Sequence, residues 1–135
     1  MKTTALLACA AVLPAALAIA LPANAAGAPR TDAAILKLAP NARVEQRCNA
    51  RAMGVIGREH RDLRPDELVA YAFADTLITG PTIRAPGAAV RSGGKWYRLS
   101  YTCTTRDDGV DIAAFQYTLG NVVPRADWDA HYLVP

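Results

Sequence analysis

Two cysteines in stretches of opposite periodicity constrain this chain more than any other feature. At about 100° per residue, Val44, Cys48, Ala52, Val55 and Ile56 fall on one side, which puts Cys48 on the apolar stripe of a helix. Tyr97, Leu99, Tyr101 and Cys103 alternate with Trp96, Arg98, Ser100 and Thr102, which puts Cys103 on the apolar face of a strand. Both sulfurs therefore point into a core, and that core has to bring a helix against a sheet.

The third cysteine, Cys9, belongs to a different part of the chain. Lys2, the nearly unbroken apolar run over residues 5–21, the break at Pro22 and the small residues of Ala23-Asn24-Ala25 read as a signal peptide, 1–25, cleaved after Ala25. A retained membrane span would need about 20 strongly apolar residues, and this run is Ala-rich, shorter and interrupted by Pro14. Leu6-Leu7-Ala8-Cys9 has the look of a lipoprotein signal, but most of the apolar run follows the cysteine instead of preceding it. Loss of the leader leaves no transmembrane segment and an even pair of cysteines in a chain bound for the periplasm or the medium. A Cys48–Cys103 disulfide follows as the expectation. Reactive or metal-binding thiols would call for a CxxC or a Cys/His cluster, and neither cysteine sits in one. About 110 residues remain, enough for one core.

Residues 26–40 read as a linker with a short helical turn at Ile35, Leu36 and Leu38, and 41–135 as a single domain. Asn41 is placed to cap a helix over 42–56, with Glu45 in its first turn and Gly57 as its stop. Strands are expected over 68–73, 83–90, 95–104 and 110–119. Pro86-Gly87 should bend or bulge the second, and Ser92-Gly93-Gly94 and Arg106-Asp107-Asp108-Gly109 should turn tightly. Pro124 opens a short helix with Trp128 and Tyr132 on one side. Tight turns make the strands antiparallel, so the fold class is α+β: an N-terminal helix packed on an antiparallel sheet of about four strands, a short C-terminal helix and one disulfide.

Several segments together resemble a known family. Val44-Glu45-Gln46-Arg47-Cys48, Val69-Ala70-Tyr71-Ala72-Phe73, Ala85-Pro86-Gly87-Ala88-Ala89-Val90-Arg91-Ser92, Trp96-Tyr97-Arg98-Leu99-Ser100-Tyr101-Thr102-Cys103 and the closing Pro124-Arg125 to Trp128 are similar to the bacterial domain-of-unknown-function family 930. The resemblance covers nearly the whole chain after the leader. It implies an exported protein of alphaproteobacterial type, and it brings no activity, catalytic residue or ligand with it.

Function has to be read from side chains. No phosphate-binding Gly loop, GxSxG, HExxH or CxxC is present, and no motif calls for a cofactor. His60, with Glu59 and Asp62 near it, is a candidate acid/base group in a charged helix end, where solvated histidines are common. Asp127, Asp129 and His131 alternate, but on a helix alternate residues point about 200° apart and do not converge on a metal. The sharper feature is a stripe of Arg43, Arg47, Arg51, Arg58 and Arg61, within about 80° of arc on a continuous helix. Guanidinium groups fork onto carboxylates and phosphates, although such a stripe is also what a solvated helix face looks like. Trp96 and Arg98 form a second candidate ligand site unless the C-terminal helix covers the indole. These residues lead to a non-catalytic binding or structural module of the envelope that contacts an anionic envelope component or an acidic protein; export argues against nucleic acid. The rival is a small envelope hydrolase with its site near Trp96, Arg98 and one histidine.

Overall fold

The computed structural model describes residues 28–106 and 108–135, so the expected leader and its cleavage after Ala25 lie outside the described residues. Helix α1 (Ala28–Ile35) is linked to the long helix α2 (Pro40–Glu59). The turn expected at Ile35, Leu36 and Leu38 is the continuation of α1, with Leu36 N bonded to Asp32 O and Leu38 N to Ile35 O at 3.0 Å each, and both leucines are exposed in the link. Pro40 is the reason α2 begins where it does: its φ is already helical and its missing N–H would have had no partner in the first turn. Asn41 is thus inside the helix and not its cap, and Glu45 falls past the first turn. Gly57 does not end α2 either. A Cβ there would stand 3.3 Å from Pro65 Cδ, so the glycine serves a close approach between helix and sheet. The helix ends two residues later, where His60 is extended and its N–H reaches Ile56 O at 2.8 Å.

Five strands follow, β1 (Pro65–Ala74), β2 (Leu77–Thr79), β3 (Thr82–Ser92), β4 (Lys95–Thr105) and β5 (Ile112–Val122), in one antiparallel sheet. The order is β1-β3-β4-β5, with β2 paired to the first residues of β3. The fifth strand is β2, a three-residue piece too short to show a period. Pro86-Gly87 makes the expected irregularity, a register shift between Ala85 and Ala88. Here glycine is obligatory, because a Cβ on Gly87 would collide with the backbone of Phe73 and Ala74 as β1 crosses it.

Helix α2 covers one face of the sheet. Val44, Cys48, Ala52 and Ile56 pack on Ala70, Ile83, Ala85, Val90, Leu99, Tyr101 and Cys103, and the Cys48–Cys103 disulfide joins helix to β4 at the centre, Cα to Cα 5.9 Å. A second, smaller core of Ala72, Ala89, Trp96, Val123, Trp128 and Leu133 lies where the C-terminal segment folds over one end of the opposite face. That segment is two 3-10 turns, Arg125–Asp127 and Asp129–His131, and not the expected helix. Tyr132, at φ 60°, turns the chain, so Trp128 is buried while Tyr132 is 69% exposed, and the two do not share a side. Among the described residues no helix is long and apolar enough to cross a membrane.

Candidate functional site

Helix α2 runs alongside β5 in the same direction. Its start lies against the turn that leads into the strand, and its end reaches Tyr117. Arginines on this side meet different surroundings along the way. Arg43 donates to Asp108 O at 2.7 Å and to Leu36 O and Leu38 O at 3.0 Å each. Arg47 Nε donates to Val110 O at 2.6 Å, and its Nη1 lies 3.6 Å from Asp32 Oδ1. These carbonyls belong to the link after α1 and to the β4–β5 turn, where no ladder or helix supplies an N–H. Gly109 accommodates the crossing, since it sits at φ 72° and a Cβ would approach Arg43 Cδ to 2.9 Å. The first two arginines therefore hold the fold together.

Arg51 and Arg58 are exposed and make no hydrogen bond or ion pair to any described residue. They stand two turns apart, about 10.5 Å along the axis. Together with Val55, Glu59, Phe115, Gln116 and Tyr117 they line an open recess of about 400 Å³. Phe115 and Tyr117 form its aromatic floor, with stacked rings 5.9 Å apart. Gln116 projects from the other face of the strand yet also lines the recess, which places the opening at the outer edge of β5. The Tyr117 hydroxyl donates to Glu59 Oε2 and lies 3.2 Å from His60 Nε2. Burial first, and then the bond to Glu59 and its charge, push the Tyr117 phenol up to about 12. His60 thus meets the Tyr117 hydroxyl at the helix end and does not itself line the recess. Arg61 stands beyond that end, exposed, with its carbonyl accepting from Arg64 Nη1 at 2.7 Å. The five arginines are not one surface: two are tied down, two are free, and one has left the helix.

Trp96 is wholly buried, its Nε1 donating to Val134 O at 2.8 Å, so it is core and not a ligand platform. Arg98 remains on the surface, its guanidinium 3.5 Å from the centre of the Phe73 ring, while His131 stacks on that ring at 4.0 Å. Arg98 and His131 do share a recess, of about 710 Å³, with Phe73, Asn121, Val122, Val123, Pro124 and Asp127. His131 Nδ1 is engaged at 2.9 Å with Ala72 O. Among the described residues no group of three or more His, Cys, Asp or Glu side chains is placed to hold a metal, and Asp127, Asp129 and His131 do not converge.

Beyond the reach of the C-terminal segment the outer face of the sheet is open and polar. Arg84, Thr102 and Gln116 face one another across three strands, with Ser100 and Thr118 in the adjacent row. The alternation in β4 signals Ser100 and Thr102. Arg84 and Gln116 escape it, because cross-strand neighbours are set by register and not by any local pattern.

The family model described as Domain of Unknown Function (DUF930) matches residues 35–133. No curated protein and no solved structure matches the chain.

Proposed function

This chain belongs to the family described as Domain of Unknown Function (DUF930), and we propose that it is a non-catalytic binding module of the bacterial envelope that holds an anionic partner at the α2–β5 recess. One observation carries the reading: Arg51 and Arg58 are exposed, without a partner among the described residues, over a recess whose single carboxylate, Glu59, accepts from Tyr117. Two guanidinium forks with free donors favour carboxylate or phosphate oxygens. The disulfide supports an oxidising compartment and with it export.

Binding is favoured over hydrolysis by what lines the other recess. Arg98 and His131 meet there one carboxylate, Asp127, and no hydroxyl or thiol nucleophile. Glycoside cleavage typically uses two carboxylates, and acyl transfer needs a nucleophile beside its base.

Labelled dextran sulfate is a suitable probe. Wild-type protein should bind it at low salt and release it as screening shortens towards about 8 Å at physiological ionic strength. Arg51→Glu with Arg58→Glu should abolish binding, whereas Arg84→Glu with Arg98→Glu, on the opposite face, should leave most of it. Equal binding by all three proteins, or none by the wild type, sinks the reading.

A further inference from the structure

The two edges of the sheet differ in how they are protected. On β1, Pro65, Asp66 and Glu67 open the strand, and Arg91 of β3 binds Asp66 Oδ1 at 2.9 Å, Glu67 Oε2 at 2.8 Å and Pro135 O at 2.8 Å. Further along, His131 meets Ala72 O at 2.9 Å. Proline, charges and a covering segment are the means by which proteins keep an edge from pairing. β5 has none of them. Its eleven residues, Ile112–Val122, include neither a charged side chain nor a proline, and its pairing with β4 runs from Ala114 to Leu119 without a bulge. It is the last strand in the sheet, so among the described residues its outward N–H and C=O groups have no sheet partner.

We propose that this edge takes up an extended acidic segment of another protein as an added strand, with the carboxylates of that segment meeting Arg51 and Arg58. The inference rests on the anion-binding reading above and gives it a partner and a mode. An added strand presents alternate side chains to the two faces of the sheet. One set falls into the recess beside α2, where the two free arginines are rooted two turns apart, about 10.5 Å along the helix axis. Acidic residues at i and i+2, or i and i+4, of an extended chain are about 7 or 13 Å apart and bracket that distance. The other set falls beside Gln116 and Thr118, which are uncharged.

Charge also decides between this partner and a second copy of the chain. Pairing β5 with β5 about a two-fold axis makes one continuous sheet and leaves both α2 helices on the same face. Arg51 and Arg58 of the two copies would then face one another across the seam. Like charges so placed oppose the pairing, whereas an acidic strand neutralises them.

Calorimetric titration with capped (Thr-Glu)4 tests this, alongside (Thr-Gln)4 and two (Thr-Glu)4 peptides carrying N-methyl groups on alternate residues, on Thr in one and Glu in the other. Saturable binding of (Thr-Glu)4 is expected, weakened by roughly tenfold or more both for the Gln peptide and for the Arg51→Glu, Arg58→Glu protein. One of the two methylated peptides should lose binding to the same degree, because methylation removes the donors of one strand edge. Amide exchange should slow at alternate residues of β5 when the peptide is present. If both methylated peptides bind undiminished, or if (Thr-Glu)4 fails where dextran sulfate binds, strand addition is overturned and the anion site stands. If neither probe binds, both fall. A dimer by sedimentation in the absence of peptide, lost on substituting exposed β5 residues with Lys, assigns the edge to a second copy and overturns the proposal.

Discussion

Arg43 and Arg47 share a side of α2 with Arg51 and Arg58, yet the first pair is fixed to backbone carbonyls and the second is free. Residue type and helical phase are nearly the same, and what differs is the neighbouring backbone. Beside the first pair lie the link after α1 and the β4–β5 turn, which expose carbonyls that no regular ladder satisfies. Beside the second pair lies the regular stretch of β5, whose inward groups are already bonded to β4. An arginine becomes a strut where the chain is irregular and stays available where it is regular.

The strongest way to test this division is to remove what holds both halves in register. Cys48 lies between the two pairs, and its bond to Cys103 spans 55 residues. Replacing both cysteines with Ala should cost up to about 4 kcal/mol in the chain-entropy model, measured by denaturant unfolding. Anion binding well below the new midpoint should survive, because packing of Val44, Ala52 and Ile56 still sets the helix on the sheet. Loss of binding with the fold intact would mean that the free pair depends on the disulfide for its position.

A smaller effect separates the two pairs directly. Arg47→Ala removes the bond to Val110 O and should cost about 1.5 kcal/mol, the lower end for a charged donor. Binding of the anionic probe should persist. Arg51→Ala with Arg58→Ala should change stability by only about 0.5 kcal/mol and abolish binding. A larger loss of stability from the second pair than from Arg47 would invert the comparison.

How far the sequence reaches is set by the same contrast. Periodicity assigns the buried faces of α2 and β4 and so the disulfide, because both elements are long and each buries one side. The Pro86-Gly87 irregularity is legible because the two residues cannot continue a ladder. β2 is not, since Leu77–Thr79 is a strand only by pairing with β3. Nor could the sequence divide the arginines. The partners of Arg43 and Arg47 at Asp108 and Val110 are 65 and 63 residues away, and they are carbonyls, which every residue carries. Trp96 failed as a site residue for a related reason: the turns that bury it end at Tyr132 in a left-handed conformation that non-glycine residues seldom adopt.

The smallest effect is expected from two tyrosines under α2, paired across β4 and β5 but buried to different depths. Tyr101 donates to Asn49 midway along α2, and Tyr117, its register partner across β4 and β5, to Glu59 at the helix end. Burial raises both phenols above the ordinary value, aided by the charge of Glu45 for Tyr101 and by the bond to Glu59 and its charge for Tyr117, which reaches about 12. The sign follows from proton counting. Below about pH 10 each phenol is protonated whether the chain is folded or not, and the full stability is present. Above it the unfolded chain releases protons that the folded chain retains, so stability falls as pH rises. Tyr117→Phe should therefore flatten the fall between about pH 10 and 12, and Tyr101→Phe should flatten it more, because Tyr101 is the more deeply buried. Urea midpoints for the wild type and both variants at about pH 9 and 11 measure this. An alkaline fall of the same steepness in Tyr101→Phe and the wild type would show that this phenol is as solvated as a surface tyrosine, and the close packing of α2 on β4 that buries it would fail with it.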